Sequence, residues 1–486
     1  MAIALIFDCG ATNLRTIAMN EEGKIVASHH IPNNTQADPE NTDYHIWDIE
    51  EIWQKLTSCA EKTIANLRQQ QIDLAEIKGI GVTTFGVDGA PFDKNGKQIF
   101  PIISWKCPRT LPVMEKLDQY LDVEKLYQRN GIGQYSFNTL FKLLWLKENK
   151  PDVFAKMDKW VFISSILSQR LTGQFSTDRT MAGTSMMTNI ENDSWDKEVL
   201  DLLGLSEQHF PPMKSAGEKV GDLLPELAER FGLAKNIPVL SCGHDTQFAI
   251  FGSGAGYNQP VLSSGTWEIL MARTQQAQAQ WQYVKDGLTI EFDSLAGSFN
   301  PGVQWVSSGV IEWLGKQFFA DVANTDQYYK TMIAEGEAVP AGANAVKLVG
   351  NFDGTTDQTG EIKGLSMHTK RGEIYRAGLE YMAYRLKAGL NVLQKVGQFN
   401  AESLICVGGG SKNKLWNQIR ADVLGCPIDV VDMAESTVLG AAMFTLTGAG
   451  VFANVEDAQQ KMKPAFQRVE PSENVNFYQK LQGDIC

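Results

Sequence analysis

Asp245 follows a short apolar segment, Val239 to Cys242, that is bounded by Pro238 and Gly243. That pattern is a strand covered on both faces. A carboxylate just past the carboxyl end of such a strand lies where open α/β sheets hold their ligands. The plainer alternative is that Asp245 caps a helix formed by Thr246 to Phe251. A second cluster stands near the start, where Asp8 ends the apolar run Ile3 to Phe7, with Thr12 inside the following turn and Arg15 after it. These supply a carboxylate for a metal ion, a hydroxyl and a cation. Glycine turns follow strand-like segments at Gly10 to Asn13, at Gly265-Thr266 and at Gly408 to Ser411. Backbone N–H groups freed at such turns can hold phosphate oxygens. Any one of them alone reads first as a plain turn, and the three together in a chain of two halves point to phosphate.

The elements that position these residues can be read from periodicity. Ile3 to Asp8, Leu14 to Met19 and Ile25 to His29 read as three strands in succession, the last two joined by a hairpin at Glu21 to Lys24. A Rossmann unit would place a helix after the first strand instead. Ile49, Ile52, Trp53 and Leu56 begin a helix that runs toward Leu67, and Ile77 to Val82 is another buried strand. Residues 110–235 have a mostly helical pattern, clearest over Thr139 to Asn149. From Gln259 the opening theme returns: Pro260 to Ser264, a glycine turn, and Glu268 to Ala272. The chain therefore divides into two halves of similar plan, 1–252 and 259–450, facing one another. Residues 274–282 and 350–364 read as surface loops. A helix is expected over Arg371 to Lys395, a strand over Leu404 to Val407, and helices over Asn413 to Leu424 and Ser436 to Leu446. The last of these carries Thr437, Gly440 and Ala441, a small face that suits either a flat adenine or tight helix packing. Residues 451–486 read as a polar C-terminal extension.

Composition narrows the function classes. A net charge of −13 disfavours nucleic acid and anionic membrane as partners. The seven cysteines are scattered without a CxxC pair, which suits free thiols in a reducing compartment. Asp8 cuts the N-terminal apolar run short, and no uncharged stretch reaches spanning length, so a cytoplasmic protein is expected. There is no GxxxxGK[ST], GxGxxG, HExxH or GxSxG, and the six histidines form no metal-spaced cluster. P-loop NTPases, dinucleotide enzymes and serine hydrolases are set aside. A homo-oligomer is left open.

Taken together, these residues carry a resemblance. Asp8-x-Gly10-x-Thr12-x-x-Arg15 resembles the opening phosphate motif of the FGGY carbohydrate kinases. Phe137-x-Thr139-x-x-Lys142-Leu143-x-Trp145-Leu146-x-Glu148-Asn149 fits that family's first signature, and Gly243-His244-Asp245 falls where the family has its catalytic aspartate. Ser264-Gly265-Thr266 is similar to its second phosphate loop, and Gly408 to Ser411 to its adenosine loop. Within the family, the segments Thr84 to Ala90, Ser104 to Thr110 and Gly243 to Gln247 look most like members acting on 6-deoxyketoses, L-fuculose first and L-rhamnulose second. Ala11, Asn13 and Trp267 depart from the usual residues of the phosphate loops.

The resemblance implies an α/β fold of two ribonuclease-H-like domains, of the actin and hexokinase ATPase type, with a cleft between them. It implies ATP and Mg²⁺, and phosphorylation of the C1 hydroxyl of a ketose, in L-fucose catabolism. Asp245 is then the base and Asp8 holds or orients Mg²⁺, through water. Thr12, Asn13 and Arg15 face the transferred phosphate, and Gly265 and Thr266 the β- and γ-phosphates. Gly409, Gly410 and Asn413 flank the nucleoside, while Val87, Asp88, Trp105 and His244 are implied in the sugar site. Phe85 and Trp267 add apolar surface beside the cleft, or else belong to the core. A different class, an actin- or chaperone-like ATPase switch, shares the phosphate loops but would need no sugar acceptor.

Overall fold

The computed structural model describes residues 1–352, 354, 359–431 and 435–481. The first half is built on β1 (Ile3–Cys9), β2 (Asn13–Asn20), β3 (Ile25–Pro32), β4 (Ile77–Thr84), β5 (Lys219–Asp222) and β6 (Pro238–His244), in the sheet order β5-β6-β4-β1-β2-β3. β1, β2 and β3 form an antiparallel meander, whereas β1–β4 and β4–β6 pair in parallel. The second half is built on β7 (Val261–Ser264), β8 (Trp267–Met271), β9 (Thr289–Phe292), β10 (Phe299–Val306), β11 (Leu404–Val407), β12 (Ile428–Val430) and β13 (Gln467–Val469). Its order is β9-β10-β8-β7-β11-β12-β13. β7, β8 and β10 repeat the meander, and β7–β11 and β11–β12 repeat the parallel pairs. The repeat seen weakly in the sequence is thus a repeat of topology, and the fold is the expected pair of ribonuclease-H-like units.

Both faces of β1 are covered, which explains its unbroken apolar run. Ile3, Leu5 and Phe7 pack with Ile49, Ile52 and Leu56 of α1 (Ile49–Gln69). Ala4 and Ile6 point to the opposite face, where they meet Phe248 and Phe251 of α3 (Asp245–Gly252) and Val438 to Phe444 of α6 (Ser436–Gly448). Asp8 has the parity of Ala4 and Ile6, so its carboxylate emerges on the face covered by α3 and α6. The intervening helices include α2 (Thr139–Asn149), α4 (Arg371–Gly397) and α5 (Lys414–Leu424). Gly425, in the left-handed conformation, ends α5 as its sequence suggested.

Three expectations change. α6, late in the chain, does not stay with the second sheet but crosses back onto the first. A Cβ on Gly252 would lie 2.0 Å from the Ser436 carbonyl oxygen, and one on Gly440 would lie 2.0 Å from that of Phe248. The small face of α6 therefore serves a close crossing with α3, and the adenine reading of Gly440 and Ala441 falls. Residues 110–235 are less helical than their pattern, because short strands such as Lys159–Phe162 and β5 interrupt them. The stretch after 450 is not a loose tail: α7 (Val455–Met462) packs on α6, β13 completes the second sheet, and Tyr478 of α8 (Val475–Leu481) is fully buried. Of the loop expected over 350–364, residues 353 and 355–358 lie outside the described residues, as do 482–486 at the end of the extension.

Candidate active site

β6 delivers Asp245 through a constrained corner. Gly243 has φ +128°, and a Cβ there would sit 2.4 Å from the Thr180 hydroxyl. Only glycine fits both the angle and the contact. His244 follows, its N–H donating to Thr180 Oγ1 at 3.0 Å, and Asp245 opens α3 as its first residue. Asp245 is thus inside the helix and not its N-cap; His244 holds that position without a side-chain cap. Burial pushes the Asp245 carboxyl up to about 6, opposed by hydrogen bonds from the Thr246 N–H and hydroxyl.

A cavity of about 460 Å³ opens in front of it. The first half contributes Ala11, Phe85, Val87, Trp105, Ile132, Tyr135, Phe137, His244, Asp245 and Thr246 to its wall. The second half contributes Ile269, Met271, Thr289, Glu291, Val303 and Gln304. Most of this surface is apolar, with a polar end at His244, Asp245 and Glu291. A cavity of this size and character suits a small molecule with one apolar flank.

Val87 lines the cavity with φ 61°, an unusual angle for a β-branched residue. Its carbonyl accepts from Thr139 Oγ1 at 2.8 Å and from Lys142 Nζ at 3.1 Å. Two residues of the α2 signature thereby hold the strained corner in place. Asp88 behaves differently from its sequence reading. Its carboxylate is fully buried and accepts from Trp47 Nε1 at 2.7 Å, from the Trp105 N–H at 3.1 Å and from Lys142 Nζ. It braces the Trp105 loop from beneath and does not reach the cavity surface. Trp105 itself is at the wall, and so are Phe85 and Val87, but Trp267 is not; Ile269 on the same strand takes that place.

Asp8 lies nearby, buried, and is pushed up to about 6 by burial, with the Asp245 charge adding to the shift and Arg15 opposing it. Arg15 Nε and Nη2 both donate to Asp8 Oδ2, the former at 2.8 Å, and Nη1 donates to both oxygens of Glu435 at 2.7 and 2.6 Å. Glu435 immediately precedes α6, so three carboxylates and one guanidinium converge at the open ends of β1, α3 and α6. Thr12 and Asn13 stand exposed in the adjoining turn, which is tied by Gly10 N–H to the Asn13 carbonyl at 2.9 Å. They border the cavity only through Ala11.

The second-half turns form a separate group. Gly265 and Thr266 link β7 to β8, and Gly408 to Gly410 follow β11, the strand beside β7. Gly410 and Ser264 touch, whereas a Cβ on Gly409 would meet nothing within 4 Å. Asn413 is the N-cap of α5: its Oδ1 accepts from the Trp416 N–H at 3.1 Å and its Nδ2 donates to the Tyr375 hydroxyl at 2.9 Å. Its side chain is thereby committed to the helix start.

Sequence reasoning missed Ile132, Tyr135, Phe137, Glu291 and Gln304. Tyr135 and Phe137 stack face to face with centroids 5.0 Å apart, at the start of the signature segment, and proximity to Thr139 was a usable signal. Glu291 and Gln304 sit on β9 and β10, where no local motif marks them. The described cysteines are free thiols, and among the described residues no helix is long and apolar enough to cross a membrane.

Residues 3–252 match the N-terminal domain model of the FGGY family of carbohydrate kinases, and residues 261–449 match its C-terminal domain model. A curated protein named L-fuculokinase from Haemophilus influenzae is 67% identical over 475 residues, covering 97% of this chain and 100% of its own. One of the same name from Escherichia coli is 43% identical, covering 99% of each chain. Among solved structures, the xylulose kinase from Rhodospirillum rubrum superposes with a TM-score of 0.86 at 21% identity, covering 99% of this chain and 97% of that one.

Proposed function

Because the chain belongs to the FGGY family of carbohydrate kinases, we propose that it transfers the γ-phosphoryl group of ATP to the C1 hydroxyl of L-fuculose, giving L-fuculose 1-phosphate and ADP. The observation that carries this reading is Asp245, placed by β6 at the polar end of a largely apolar cavity between the two halves. With its carboxyl at about 6, Asp245 is ionised at neutral pH yet basic enough to take the proton of the attacking hydroxyl. Phosphoryl transfer asks the protein mainly for positioning and charge neutralisation, and the remaining roles follow from that.

The 1–252 half carries the sugar and the base, and the 259–450 half carries the nucleotide. Thr12, Asn13 and Arg15 meet the transferred phosphate, and Gly265 and Thr266 the β- and γ-phosphates. Gly409 and Gly410 border the nucleoside, where the open space beside Gly409 fits a ligand against backbone. Asn413 supports that edge by capping α5. Val87, Trp105 and His244 contact the sugar, and Asp88 braces the Trp105 loop. Magnesium neutralises phosphate charge when bound. Asp8 fits a water-mediated contact to it better than direct ligation, since Arg15 already occupies one of its oxygens.

The test is ADP release over a panel of ketoses and polyols. L-Fuculose is expected to give the highest kcat/KM, with L-rhamnulose as the nearest competitor because it keeps the methyl and differs only in hydroxyl stereochemistry. A clear preference for glycerol or D-xylulose would reassign the substrate. Turnover independent of any added sugar would favour an ATPase switch.

A further inference from the structure

Glu291 has no part in the reading above, yet it is one of only two acidic groups among the described residues of the cavity wall, the other being Asp245. It stands on β9, so it comes from the half opposite the base. Its side chain is 15% exposed. Gln247 Nε2 donates to its Oε2, and His244 Nδ1 lies 4.0 Å from the same oxygen. On its other side the imidazole Nε2 is 3.5 Å from Asp245 Oδ1. The Gln247 amide also approaches the imidazole, but neither Gln247 Oε1 nor His244 Nδ1 completes a hydrogen bond.

The cavity thus presents two carboxylates separated by an imidazole, with no Lys or Arg among the described lining residues to neutralise them. A nearly buried carboxylate is costly unless its oxygens are hydrogen-bonded. One amide donor from Gln247 serves one of the two oxygens. Hydroxyl groups are the donors a sugar brings, and an ionised acceptor makes the stronger kind of bond with them. The rest of the second-half wall near Glu291 is apolar (Ile269, Met271, Val303) or carries the neutral groups of Thr289 and Gln304. Asp245 is engaged with the reacting hydroxyl, so Glu291 is left to meet a different one.

We infer that Glu291 is a specificity-determining residue, its carboxylate accepting a hydrogen bond from a secondary hydroxyl of the sugar beyond C1. On this view the first half carries out the proton transfer and the second half reads stereochemistry. The inference rests on the sugar-kinase reading, and it adds a recognition contact that only the assembled cavity provides.

The experiment compares kcat/KM for the preferred ketose of the panel and its 3-deoxy, 4-deoxy and 5-deoxy analogues, in the wild type, Glu291→Gln and Glu291→Asp. The wild type should lose about 10–100-fold on one analogue, the value of a charged hydrogen bond. Glu291→Gln should lose a similar factor on the parent ketose, mainly through KM. It should then treat the parent and that analogue alike within about threefold, with binding of a fluorescent ATP analogue unchanged. Wild-type discrimination retained by Glu291→Gln against every analogue would overturn the inference, as would an unchanged kcat/KM on the parent. Should Glu291→Gln fail to fold by circular dichroism, the same ratios in Glu291→Asp decide. The wild-type panel judges the L-fuculose reading separately, since the analogues are made from whichever ketose it prefers.

Discussion

The hairpins β1–β2 and β7–β8 occupy the same place in the two sheets, and their ends do opposite things. At the first, Asp8 faces Arg15 across the ladder; at the second, Ser264 faces Glu268. Arg15 remains 29% exposed and spans Asp8 and Glu435 at the open end of the sheet. Glu268 is fully buried instead, accepting from Ser264 Oγ at 3.0 Å, from Trp305 Nε1 at 3.1 Å and from the equally buried Arg420. Arg420 also lies 3.8 Å over the Trp416 ring. One topology therefore yields a charged pair available to ligands in one half and a sealed ionic core in the other. What the second hairpin can offer outward is backbone at Gly265 and the hydroxyl of Thr266. A repeated fold places residues, but the layer covering the hairpin end decides whether their charges face a ligand or hold the core.

The sharpest way to break that contrast is at the base, on the first-half side. Asp245→Asn should keep folding and ATP binding while lowering turnover by about 10²–10⁴. Wild-type turnover at saturating sugar would reduce Asp245 to the opening residue of α3.

The second measurement sets the two arginines against each other. Arg420→Met leaves Glu268 buried and uncompensated and should cost about 3–5 kcal/mol of stability, read from denaturant unfolding. Arg15→Met should cost less stability but more activity, because Arg15 itself is 29% exposed and its partner Glu435 reaches solvent. Equal stability losses would erase the distinction between an open and a sealed hairpin.

The third concerns the wall that both halves build. Phe85, Val87, Trp105, Ile269 and Met271 leave a terminal hydroxyl no evident partner on the apolar flank. L-Fuculose should therefore exceed its 6-hydroxy analogue L-tagatose in kcat/KM by at least about tenfold. Equal efficiency would mean the apolar flank does not face the 6-methyl group.

The smallest effect is on pH dependence. A base must be deprotonated to act, and Asp245 titrates near 6, so activity is present above that value and lost as pH falls through it. From pH 7 to pH 5 the chemical step should slow by about tenfold, the fraction of carboxylate that remains. A profile that stays level to pH 5 would show that protonation of Asp245 does not control the rate.

The contrast between the hairpins also marks how far the residues alone could be read. β1 announced itself because both its faces are covered and its apolar run is unbroken, and β2, β4 and β6 because apolar or small residues fill most of their positions. Thr139 and Lys142 were legible as a motif, but their action on the Val87 carbonyl was not, since α2 and the β4 loop meet only in the folded chain. Asp88 was expected in the sugar site from the family resemblance, and Val87 and Trp105, expected there with it, do reach the cavity. Its burial depends on Lys142, 54 residues away in sequence.

Local pattern by itself determined the strands β1, β2, β3, β4, β6, β7, β8 and β11, the glycine turns, the halves of similar plan and the placement of Asp245 after β6. These depend on side chains a few residues apart, whose spacing fixes turn geometry and which faces are apolar. Only the tertiary structure decided that α6 returns to the first sheet, that β13 closes the second, and that Glu291 and Gln304 stand opposite Asp245 and Tyr135. Those outcomes depend on which distant surfaces pack together, and a buried crossing such as Gly252 on Gly440 shows in the sequence only as a small helix face that names no partner.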